Sequence, residues 1–126
     1  MTTTTITTQQ VADRYCELMK QKKRIEIHEQ LYDKDIINKE PEHAVAIGID
    51  IITKGLDAVK AKNKARAEMI ETVHSEYCSE PIVASNYFTV ALERDITMKG
   101  RPRIYLSEIA VFEVKDGKIV SEQFFY

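Results

Sequence analysis

No apolar stretch in this chain of 126 residues approaches the ~18 residues of a membrane-spanning helix, which argues against a membrane partner. The opening MTTTTITTQQ lacks the basic and apolar regions of a secretory signal. Cysteine is scarce. Cys16 and Cys78 are far apart and form no ligand motif, so free thiols in a reducing compartment are expected, and with them a cytoplasmic location. No group of His, Cys, Asp and Glu has metal-ligand spacing, and neither a metal nor a cofactor is expected. The net charge is -2 with no basic stripe, which removes nucleic acid as a first partner. There is no repeat, and low complexity is confined to the first ten residues.

What is present is concentrated in the last quarter, RIYLSEIAVFEVKDGKIVSEQFFY. Ile104, Leu106, Glu108, Ala110, Phe112 and Val114 share one strand parity, and Glu108 is the single charged member of that row. A lone carboxylate among apolar side chains is costly unless it is paired, protonated or facing a wet cavity, so Glu108 is a candidate site residue. Lys115-Asp116-Gly117-Lys118 follows, and Asp-Gly between strand-like runs is a hairpin signal.

Upstream, residues 1–8 read as a flexible polar tail and 9–126 as one domain, with Thr7 or Thr8 as N-cap. Val11, Ala12, Tyr15, Leu18 and Met19 recur at helical spacing over Gln9–Lys23. A shorter helix is expected over Arg24–Tyr32, a strand over Ile36–Glu40 closed by Pro41, and a third helix over Gly55–Glu68 with Lys62-Asn63-Lys64 outside. Residues 42–54 fit either a strand or an ordered loop. Strands follow over Glu71–Ser79 and Asn86–Met98, the latter with Phe88, Val90, Leu92, Ile96 and Met98 on one face and Arg94 breaking that row. Helices first and an antiparallel meander afterwards specify an α+β fold: a conical barrel, its strongly curved, mainly antiparallel sheet wrapped around about three N-terminal helices. Such a hollow suits a small ligand.

This order resembles the SnoaL-like and ketosteroid-isomerase-like branch of the nuclear transport factor 2-like superfamily, and FEVKDGKIVSEQFFY resembles that superfamily's final hairpin. Arg14-Tyr15 resembles the isomerases' Arg-Tyr, and YDKDIINKEP resembles their run ending in a catalytic aspartate before proline, a position held here by Glu40. Glu108 falls where they keep a protonated aspartate. The resemblance implies an isomerase or cyclase acting without cofactor on a small apolar carbonyl compound, with Tyr15, Glu40 and Glu108 as catalytic residues. The fold hosts binding modules as well, so a non-catalytic ligand-binding or accessory domain is the alternative.

The implied pocket contains Phe88, Leu92, Arg94, Phe112, Glu122, Phe124 and Tyr126. His74, between Val73 and Ser75, is a further candidate ligand or base. A hairpin centred on Arg101 would set Arg94 directly opposite Glu108 as an ion pair. A two-residue turn at Asp116-Gly117 turns Ile119, Ser121, Gln123 and Phe125 inward. A left-handed Gly117 bulge turns Val120, Glu122, Phe124 and Tyr126 inward, with Glu122 opposite Ala110 and Phe124 opposite Glu108. The superfamily hairpin favours the bulge, which would make Glu122 and Glu108 an acid pair sharing Arg94. Tyr105, Ile109 and Val111, on the other face, predict a homodimer through the outer side of the sheet.

Overall fold

The structure, a computed structural model, describes residues 5–126; positions 1–4 of the expected tail lie outside the described residues. Helices α1 (Thr8–Lys20) and α2 (Arg24–Leu31) lead directly into β1 (Tyr32–Lys39). A short 3-10 segment (Glu42–Ile47), β2 (Ile52–Lys54) and α3 (Leu56–Glu68) follow. The chain ends in β3 (Ile70–Cys78), β4 (Ile82–Ala84), β5 (Tyr87–Met98), β6 (Arg103–Lys115) and β7 (Lys118–Phe125).

Thr7 is the N-cap of α1. Its hydroxyl accepts from the Gln10 amide while the Gln10 side chain accepts from the Thr7 amide, satisfying two otherwise orphaned donors. The helix stops at Lys20, earlier than the basic run suggests, because Lys22 takes a left-handed conformation (φ 60°) and reverses the chain. Immediately ahead of the cap, Ile6 lies against Gly117, where an added Cβ would meet the Ile6 Cβ at 3.1 Å.

The sheet runs β2-β1-β7-β6-β5-β3, with β4 paired to β5; among the described residues only β1 and β7 are parallel. It curves around the helices into a cone without closing, leaving β2 at one end and β3 and β4, which share β5, at the other. Inside the curve, Phe88 and Phe112 stack with centroids 4.6 Å apart, and Tyr15 from α1 lies across both. Val11, Leu18, Ile27, Ile36, Val59 and Ile119 complete the buried core around them.

Two expected registers are displaced. The β5–β6 turn centres on Gly100 (φ 72°), not Arg101, so Arg94 pairs with Leu106 and Glu108 with Leu92. Moving a hairpin centre by one residue moves each pair by two and preserves the face. Arg94 therefore still points inward but is not opposite Glu108. At the last hairpin Asp116 (φ 51°) and Gly117 (φ 75°) are both left-handed, and Lys115 pairs with Lys118. This is a two-residue I′ turn, correcting the expected Gly117 bulge. The reversal of parity comes three residues later: Val114 pairs with Ile119 but Glu113 with Ser121, which leaves Val120 as the extra residue. Ile119 and Glu122 both face inward as a result. Glu122 pairs with Phe112 and Phe124 with Ala110, one pair further along than the expected register.

Replacing Phe112, which has no exposed surface, by alanine removes the centre of the aromatic cluster. Urea titration is expected to show a loss of about 3–5 kcal/mol with an unchanged m-value; a loss below about 1 kcal/mol would contradict this packing.

Candidate functional site

The concave face encloses a cavity of about 440 Å³ between the sheet and all three helices. Its chemistry begins on β1, where the alternation Ile36, Asn38, Glu40 turns three residues inward. Glu122 of β7 lies across the ladder from Asn38, the two being register partners in the parallel pair. Glu122 is only 2% exposed. The Tyr32 hydroxyl donates to its Oε2, and Asn38 Nδ2 donates to its Oε1 at 2.9 Å. Burial pushes its pKa up to about 6, against the opposing effect of those two hydrogen bonds. The same burial, together with the nearby carboxylate, raises the Tyr32 and Tyr15 phenols well above their ordinary value.

Asn38 also links this carboxyl to a second one. Lys62 Nζ donates to Asn38 Oδ1 at 2.6 Å and to Glu40 Oε1 at 3.2 Å. Glu40 is 5% exposed, not the surface residue that an end-of-strand position suggests. Its Oε1 has a further contact with Arg66 at 3.7 Å, and its Oε2 accepts from the Tyr126 hydroxyl at 3.1 Å. That phenol is pushed up to about 12 by burial and by Glu40.

Glu108 faces the cavity from β6, where burial raises its pKa against the combined pull of Arg66, Arg94 and Arg24. Its charged neighbours include Glu40 but not Glu122, so the expected Glu108–Glu122 acid pair is not formed. The register explains this: Ala110 and its partner Phe124 stand between them. Arg94 contacts Glu76, its cross-strand partner on β3, at 3.3 Å in place of Glu108.

Of the other candidates, Tyr15, Leu92 and Phe124 line the cavity. Phe88 and Phe112 lie behind Tyr15 in the core and do not reach it. His74 sits at a register shift of β3, exposed, with Nε2 2.8 Å from Thr97 Oγ1 and away from the cavity. His28 lines the cavity and was not singled out by the sequence. Asn63 Nδ2 lies 3.1 Å from its Nε2, its ring packs on Tyr32, and burial and then Lys60 lower its pKa. Tyr32, Asn38, Lys62 and Arg66 were also missed. Asn38 shares its parity with Ile36 and Glu40, and Lys62 and Arg66 lie at i, i+4 on the Val59 side of α3, so the pattern was present but masked by its polarity.

Residues 6–126 match the SnoaL-like domain family. The chain belongs to this family. The SnoaL-like chain is similar to a Mesorhizobium loti protein named as a candidate SnoaL-like polyketide cyclase, with 28% identity over 96% of this chain and 100% of that one and a TM-score of 0.88. It shares its fold with TerC co-crystallized with polyporic acid (14% identity, 95% and 92% covered, TM-score 0.75). The fold also recurs in a Catenulispora acidiphila hypothetical protein of ketosteroid isomerase-like fold in complex with trimethylamine (17%, 92% and 84% covered, TM-score 0.69). No curated protein matches the chain in sequence. No described helix is long and apolar enough to cross a membrane.

A carboxyl whose folded pKa is raised binds a proton in the folded state that it has lost in the unfolded one. Stability contributed by Glu122 is therefore full below about 4.3 and falls as pH rises to about 6, by about 2 kcal/mol. Urea titrations between these limits should show that fall in the wild type and a flatter profile in Glu122→Gln. Parallel profiles would reject the raised pKa.

Proposed function

We propose that this SnoaL-like protein transfers a proton on a small, largely apolar carbonyl compound, as a cofactor-independent isomerase or cyclase, with Glu122 as the proton carrier. The observation that carries this reading is the environment of that carboxyl. It is buried, lines the cavity, is held by two neutral donors and has its pKa raised towards neutrality. General bases work best when their pKa lies near the operating pH. Glu40, first expected as the base, has its oxygens engaged by Lys62, Arg66 and Tyr126, which makes it the poorer acceptor and a better anchor for Lys62.

In this reading the carbon–hydrogen bond next to the carbonyl breaks, its proton passes to a Glu122 oxygen, and the electron pair moves onto the carbonyl oxygen. Tyr15 lines the cavity with no hydrogen bond to its hydroxyl among the described residues, so it is free to donate to that oxygen. Glu108, its pKa raised by burial, is a second donor. Return of the proton to another carbon completes an isomerisation; attack of the enolate carbon on a second carbonyl, with the electron pair passing to that carbonyl's oxygen and the proton from Glu122 delivered to it, completes a ring closure.

The test is exchange of hydrogens next to the carbonyl for solvent deuterium across a panel of cyclic enones and aryl ketones. Glu122→Gln is expected to slow exchange by about 10²–10⁴-fold, and Glu40→Gln by much less. Equal losses would remove the assignment of roles. Ligands that bind without exchange on any member of the panel would make the protein a binding module instead.

The outer face supports a homodimer in the same proposal. Tyr105 and Ile109 are exposed, and Phe125, the cross-strand partner of Ile109, extends the patch. Cytoplasmic placement is proposed with it, on the two buried free thiols. Light scattering at micromolar concentration should return twice the chain mass, and Ile109→Glu should halve it; a monomeric wild type would remove the dimer.

A further inference from the structure

The wall of the cavity between Glu40 and β3 gathers three guanidiniums whose carboxylate partners are shared or distant. Arg24, at the start of α2, contacts Glu76 Oε1 at 3.0 Å. Arg94 approaches that same oxygen at 3.3 Å, yet its Nε is buried and has no hydrogen-bond partner among the described residues. Arg66, in the last turn of α3, has among the described residues only the 3.7 Å ionic contact with Glu40 Oε1, which Lys62 already holds at 3.2 Å. Glu108 belongs to the same wall but lies within 4 Å of none of these cations among the described residues.

Three guanidiniums, those of Arg24, Arg66 and Arg94, thus gather in this part of the lining beside Glu40, Glu76 and Glu108. Burial of Glu108 favours its neutral form, which leaves Glu40 and Glu76 as the anions shared by the cluster. The guanidiniums act on one another as well: after burial, Arg24 is the largest influence pulling the Arg94 pKa down, with Arg66 adding to it. Like charges gathered in a half-buried site, with a donor left unmatched, are costly in the empty protein. An anion relieves the repulsion among these guanidiniums, and a planar carboxylate fits the fork of a guanidinium.

We infer that the cavity takes a carbonyl compound that is also an anion, an apolar skeleton bearing a carboxylate, received by Arg94 and Arg66 with Arg24 behind them. This deepens the proton-transfer reading and rests on it for the carbonyl alone. The inner end, with the neutral phenol of Tyr15 as donor and Glu122 as proton acceptor, takes the reacting carbonyl. The arginine wall takes the charged end. The carboxylate fixes orientation and is not altered.

The probe is para-acetylbenzoate against its methyl ester. Each has one exchangeable methyl ketone, and they differ in charge. Calorimetry on the full chain is expected to show the acid bound roughly tenfold tighter or more than the ester. Arg94→Gln should remove most of that preference. Arg66→Gln, at a half-exposed position where folding is not in question, should remove part of it. Glu122→Gln should keep the preference while slowing deuterium exchange.

Equal affinity for acid and ester in the wild type, no binding of either, or a preference untouched by both arginine variants would overturn the inference. Preference without exchange supports it and removes proton transfer; exchange without preference does the reverse.

Discussion

A carboxyl group carried into the sheet by the final strand must be answered by donors that other elements supply. Glu122 meets Tyr32 at the start of β1 and Asn38 further along it, and Asn38 in turn meets Lys62 from α3. An unanswered buried carboxyl would cost several kcal/mol or simply stay protonated. Here the answer is two neutral donors with the nearest cation one residue removed, which leaves the proton exchangeable near neutral pH. The parallel pairing of β1 with β7 is what brings these groups together, since Asn38 and Glu122 are register partners. Architecture and chemistry depend on the same ladder.

Glu40 shows how neighbouring carboxyls are kept distinct. It follows directly on β1 and shares face and burial with Asn38, yet its oxygens face Lys62, Arg66 and a phenol. Glu122, met by two neutral donors, and Glu40, met by two cations and a phenol, are thereby placed for different roles in one cavity. Glu108 is the third case. It is desolvated but bonded to nothing within the described residues, and surrounded by arginines at longer range.

Much of this was legible in the sequence wherever period-two alternation was simple. Glu108 stands out as the charged member of an apolar row, and the structure turns it inward with Phe112 and Leu106, although Ile104 at the end of that row is exposed. Tyr15 follows from helical spacing. What failed was register and polarity. The Gly100-centred turn moved Arg94 onto Leu106, and Glu76 took the ionic contact assigned to Glu108. The inner face of α3 was hidden because it carries Lys62 and Arg66 towards buried Glu40 and Asn63 towards His28, so a search for apolar periodicity reads that face as outside. His74 was undecidable because a register shift next to it breaks the parity rule.

The last hairpin joins these points. Asp-Gly correctly indicated a turn, and both residues take the left-handed conformations of a two-residue I′ loop. By parity alone that loop sends Glu122 outward. The extra residue at Val120 reverses the facing after Ile119 has already been buried, so one strand fills the core with Ile119 and the cavity with Glu122. A bulge leaves one residue unpaired in the ladder, a local loss that regular pairing avoids. Its retention here is explained by what it turns inward. Without the bulge, Ser121 and Gln123 would face the hollow, and the donors of Tyr32 and Asn38 would have no carboxyl to hold.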